Sequence, residues 1–182
     1  MGCWGITAME SDIGLDALIC IREHLRLDGK ASLTELLEAL KDDAWSCPEE
    51  ISSGASHSSP MMLAEIVVKF LDGDLKGLDY EDDSLNKAKR FGAITSFQAS
   101  RESIAWIRTY LNDTLQFAQE EAKPGNPEGR RWAGWLKEED WNAWQEHMKN
   151  LIGRMDELLV LKEDVVELIQ PQETMQEAGM QM

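Results

Sequence analysis

The chain has 182 residues, 43% hydrophobic and 29% charged, a composition that suits one globular domain able to bury a core. Its 34 acidic against 18 basic side chains give a formal charge of −16, and both halves of the chain are acidic. Such a field disfavours nucleic acid and anionic lipid as partners and attracts basic proteins.

No stretch has the length and apolarity of a membrane span, and no basic leader precedes an apolar run. Cys3, Cys20 and Cys47 are odd in number and widely spaced, which reads as reduced thiols and a cytoplasmic location. Met1-Gly2 is not a myristoylation start, because Ile6 stands where Ser or Thr is needed.

In chain order, Trp4 comes first, bracketed by Gly2 and Gly5, and is expected to lie flat against a core. Ser11 caps a helix from about Asp12 to Leu27 that carries Ile13, Ala17, Leu18, Ile21 and Leu25 on one side. Ser32 and Glu35 form a capping box that opens a short helix through Leu33, Leu36, Leu37 and Leu40. Trp45 to Ser59 reads as a loop, and Ser59-Pro60 restarts a helix that Gly73 stops. Asp74 to Ser84 is an acidic loop.

The alternation over Phe91, Ala93, Thr95 and Phe97 suggests a short strand with no evident partner. Ser100 caps a long helix to about Ala122, and Pro124 to Gly129 breaks the chain. The stripe Trp141, Trp144, Met148, Leu151, Met155 and Leu158 defines a last long helix, about Lys137 to Lys162. Val165, Val166, Leu168 and Ile169 extend it or form a separate short helix. Residues 171–182 read as a disordered tail after a single helical domain over residues 1–170. The fold expected is mostly α, a bundle of five or six helices with at most a minor pair of short strands.

Candidate chemistry is sparse. Asp12, Asp16, Cys20 and His24 follow one another at helical spacing, and Cys47 or His57 could complete a zinc site with the Cys20–His24 pair. Asp72, Asp74 and Gly77, followed by Asp83, overlay a calcium loop, but Lys76 and Asp79 depart from its pattern. Neither pattern specifies a metal, and no metal or cofactor is expected. No nucleophile elbow, phosphate loop or paired-histidine motif is present, so no catalytic residue is assigned. Trp132 and Trp135 beside Arg130 and Arg131 either anchor the last helix or form an aromatic binding patch.

The opening Met1-Gly2-Cys3-Trp4-Gly5, with Asp12 and Leu15-Asp16 entering a helix, resembles the bacterial family of domain of unknown function 4259. Cys47-Pro48-Glu49, Ala64 to Val68, and Trp135, Trp144, Leu151 and Arg154-Met155 are similar to further segments of that family. The resemblance implies a small bacterial cytoplasmic protein and no reaction.

The function expected is non-catalytic binding or regulation, immunity- or inhibitor-like, with a basic protein as partner. Trp4, Asp12, Asp16, Trp132 and Trp135 are the candidate binding residues. The alternative is a metal-binding enzyme or sensor using Asp12, Asp16 and His24, or the loop from Asp72 to Asp83.

Overall fold

The computed structural model describes residues 4–53, 57–79 and 90–170. The expected tail at 171–182 and Asp83 lie outside them. The fold is mostly helical: α1 (Asp12–Glu23), α2 (Leu33–Asp42), α3 (Ser58–Leu71), α4 (Arg101–Glu121) and α5 (Glu138–Val160) are joined by a small sheet that packs on α2 and α4. The sheet comprises β1 (Lys30–Ser32), β2 (Ser96–Ser100) and β3 (Val165–Leu168).

The sheet has the order β1-β2-β3, with β1 parallel and β3 antiparallel to β2. Two expectations are corrected here. Phe91–Ala93 is a 3-10 turn, and the expected strand begins only at Ser96 and does have partners, distant ones in sequence, with Phe97 opposite Ala31 and Leu168. The apolar set from Val165 is a strand and not a helical extension. Its alternation of exposed and buried residues puts Val166 and Leu168 on the core side.

Helix starts follow the capping chemistry of the sequence. Ser11 Oγ accepts from Gly14 N–H at 3.0 Å, and Ser100 Oγ accepts from Ser103 N–H at 3.0 Å. Ser32 Oγ reaches Glu35 N–H at 3.4 Å, but the Glu35 carboxylate turns outward to Arg26 and does not complete a capping box. The complete box stands at Thr7 and Glu10, where Glu10 accepts from the Thr7 amide at 3.0 Å. That hydrogen bond holds the Glu10 pKa below its ordinary value. At the far end of α5, Arg101 Nη1 donates to the carbonyls of Leu159 (2.7 Å) and Leu161 (2.8 Å), which a helix terminus otherwise leaves open.

All five helices and all three strands contribute to one apolar cluster. Within it α3 is central, and buried on nearly every side. Its Glu65 is only 5% exposed. Both carboxylate oxygens accept from Ala8 N–H, at 2.8 and 3.1 Å, and Oε1 also accepts from His147 Nε2 at 2.7 Å. One side chain thus ties the N-terminal segment and α5 to the middle helix. Gly14 completes the joint, since a Cβ there would lie 1.8 Å from the Ala8 carbonyl oxygen.

Trp4 corrects a further expectation: it is 60% exposed. The segment is held by its backbone, through Trp4 N–H to Glu10 O at 2.9 Å, and the Glu10 carboxylate packs against Gly5. The ring is therefore not needed to fix the chain. Trp4→Ala should melt close to wild type, within about 1 kcal/mol of stability. Glu65→Ala should cost about 2–3 kcal/mol, because it strands a buried amide and the His147 ring. Thermal and urea unfolding of both variants beside wild type measures the difference.

Candidate functional site

A half-enclosed cavity of about 230 Å³ opens where six parts of the chain converge, Ile51 of the loop before α3 among them. Ile6 and Thr7 come from the N-terminal segment, and His57, Ser58 and Met61 from the start of α3. Thr114, Phe117, Ala118 and Glu121 come from α4. Arg130, Ala133 and Trp135 come from the turn before α5, and Trp144 and Met148 from α5 itself. The two indoles form an aromatic wall. Trp135 lies against Trp144 with ring centroids 6.2 Å apart, and Trp144 stacks on the buried Trp141 at 5.7 Å.

The turn carrying this wall has unusual backbone. Trp132 and Ala133 take φ values of 52° and 51°, and Gly134 follows at 91°. Three successive left-handed residues reverse the chain and deliver Trp135 to the cavity. Glycine adopts this region freely, whereas a Cβ costs about 1–2 kcal/mol per residue there. Trp132 offsets part of that cost by lying under the Arg131 guanidinium, 4.1 Å from ring centroid to Cζ. Ala133→Gly should therefore raise stability by about 1 kcal/mol while leaving the cavity wall in place, as read by the melting temperature.

On the polar side of the cavity, His57 is held by Tyr110, which lies outside the lining. Its hydroxyl donates to the Glu49 carbonyl at 2.6 Å and lies 2.8 Å from His57 Nδ1. A phenol has one proton to give, so His57 Nδ1–H donates and the phenol oxygen accepts. Thr114 Oγ1 donates to the Tyr110 carbonyl at 2.8 Å, and Trp106 stacks on the Tyr110 ring, with Lys41 Nζ 4.9 Å from the Trp106 ring centroid. Burial, with Glu49 second, pushes the Tyr110 pKa up to about 12. Glu121 faces Arg130 at 3.4 Å.

Burial also pushes the His57 pKa below 6.5, against the opposing pull of the Ile51 backbone and Glu49. The unfolded chain consequently takes up this proton more readily than the folded one. The stability His57 contributes is complete above about pH 6.5 and is lost as the pH falls through that value towards the folded pKa. Urea unfolding between about pH 7 and pH 5 should show this loss in wild type, and His57→Gln should flatten it.

Of the other candidates from the sequence, Trp135 lines the cavity, while Trp132 lines a separate depression with Glu121 and Lys123. Asp12 and Asp16 are exposed on α1. Asp16 borders a shallow depression with Ile19, Cys20, Glu23, Asp43 and Trp45, away from the cavity. There the Cys20 thiol is pushed up to about 11, first by burial and then by Asp43 and Glu23. Trp135 alone of the five candidate binding residues lines this cavity.

The metal patterns resolve into other bonds. His24 Nδ1 donates to the Cys20 carbonyl at 2.8 Å. Asp72 pairs with Arg154 at 2.8 Å and Asp74 with Lys69 at 3.5 Å. Asp79 accepts from the amides of Phe91 (2.9 Å) and Gly92 (2.8 Å). Among the described residues, no three His, Cys, Asp or Glu side chains gather as a metal site would require. No helix among those residues is long and apolar enough to cross a membrane.

No family model, curated protein or solved structure matches the chain, so its own geometry carries the functional argument.

Two partnerships were hidden in the sequence. His57 and His147 have no neighbours there that announce Tyr110 and Glu65. The one available signal was Glu65 itself, a carboxylate inside the apolar run from Met61 to Val68.

Proposed function

We propose that the chain is a non-catalytic binding or regulatory protein, immunity- or inhibitor-like, whose site for a basic protein partner is the cavity beside Trp135. The observation that carries this reading is an aromatic cavity, walled by Trp135, Trp144 and Phe117, in a chain of net charge −16. Buried pockets lined by tryptophan are where interface energy concentrates, and a negative field steers basic partners towards them. The polar groups on the walls support binding in preference to chemistry: His57 is engaged by Tyr110, and Glu121 faces Arg130. The free thiols of Cys20 and Cys47 suit a cytoplasmic setting. The resemblance of the opening to the domain of unknown function 4259 family supports a bacterial one.

The test is a titration of the purified chain with the basic protein products of neighbouring genes, followed by tryptophan emission. A saturable change with a dissociation constant of about 1 μM or tighter is expected. It should weaken with salt, and weaken at least tenfold in Trp135→Ala. Zinc or calcium held stoichiometrically through chelator washes would overturn the reading in favour of a metal-dependent enzyme or sensor. So would the absence of binding to every basic neighbour.

A further inference from the structure

The cavity is not isolated. A shallow groove lined by Glu49, Glu50, Asp113 and Glu120 adjoins it, and Ile51 and Phe117 line both. The continuity follows from helix geometry. Tyr110, Asp113, Phe117 and Glu120 succeed one another by threes and fours along one ridge of α4, and Thr114, Ala118 and Glu121 form the next. Phe117, 37% exposed and on the first of these ridges, lines both the groove and the cavity.

The groove has one sign of charge. Glu49, Glu50 and Asp113 have no ion-pair partner among the described residues, and Glu120 meets only Lys123, itself exposed on the following turn. Like-charged carboxylates gathered beside an apolar opening favour an occupant that brings cations with it. The size of the cavity fixes the other half of the occupant. An apolar cavity of about 150 Å³ accepts benzene. At about 230 Å³, this one has room for an aromatic or large aliphatic side chain.

We propose that the cavity and the groove together read one short segment of a basic partner. An aromatic or large aliphatic side chain enters between Trp135 and Phe117, and adjacent Lys or Arg residues lie along Glu49, Glu50 and Asp113. This inference rests on the binding function proposed above and specifies the chemistry of its partner. Anchor and charge supply different things: the buried side chain sets the dissociation rate, and the cations set association rate and salt dependence.

The experiment uses the full chain and capped five-residue peptides with the centres Lys-Phe-Lys, Lys-Ser-Lys and Glu-Phe-Glu. Binding is read by tryptophan emission at low and high salt. Lys-Phe-Lys should bind with a dissociation constant of about 1 mM or tighter, and each of the other two at least tenfold more weakly. Ala118→Leu, which fills the cavity, should weaken Lys-Phe-Lys at least tenfold. Glu50→Gln with Asp113→Asn should weaken it about threefold at low salt and not at high salt. Should Ala118→Leu lower the melting temperature, Ala118→Val takes its place.

Equal binding of Lys-Ser-Lys would mean charge alone, and equal binding of Glu-Phe-Glu the cavity alone. Either result overturns the proposal, as does a failure of all three peptides to bind. A basic protein that still binds the chain, unaffected by the Ala118 and Glu50/Asp113 substitutions, would sink this inference while leaving the binding function standing. Loss of binding by peptides and protein alike removes both.

Discussion

The fold depends on one buried carboxylate. Glu65 sits at a position of α3 that the rest of the protein covers, so this side chain must find its hydrogen-bond donors inside the protein. It finds them in two segments distant in sequence, the Ala8 amide and the His147 ring. Apolar contacts would hold the N-terminal segment and α5 against α3 in several similar ways. Donors aimed at one carboxylate select one of them. The close approach of Gly14 to the Ala8 carbonyl fixes the same joint from the other side.

Elements governed by local chemistry were legible from residue order alone. Ser11 and Ser100 cap the helices that they announce, and the stripe from Trp141 to Leu158 lies on α5, four of its six residues in the shared core. Elements governed by distant partners were not. The strand at Ser96–Ser100 exists because Lys30–Ser32 and Val165–Leu168 flank it, and no local pattern reports pairing across more than sixty positions. Glu35 illustrates the same limit at short range. Its spacing from Ser32 fits a capping box, yet Arg26 is close enough to draw the carboxylate away.

The candidate site was legible only in part. Trp135 was identifiable because it follows the break at Pro124 to Gly129 together with Trp132, beside Arg130 and Arg131. Trp4 misled for the converse reason. Flanking glycines signal backbone freedom, but at Gly5 it is the missing Cβ that counts, leaving room for the Glu10 carboxylate while the indole stays exposed. His57 was invisible as a site residue, since its partner Tyr110 sits midway along another helix.

Helix α4 shows how one element can serve stability and recognition without conflict. Its inward ridge, Ile104, Ile107, Leu111 and Leu115, is buried in the common core. The ridges bearing Asp113, Phe117, Ala118 and Glu121 carry the groove and the cavity wall instead. A helix turns about 100° per residue, so neighbouring positions can answer to separate demands. Tyr110 stands at the boundary, with its ring packed on Trp106 and its hydroxyl shared between Glu49 and His57. Through it, the loop that supplies Glu49 and Ile51 is fixed to the same helix that supplies Phe117. The two halves of the site are thereby held in register by a hydrogen bond within the groove wall.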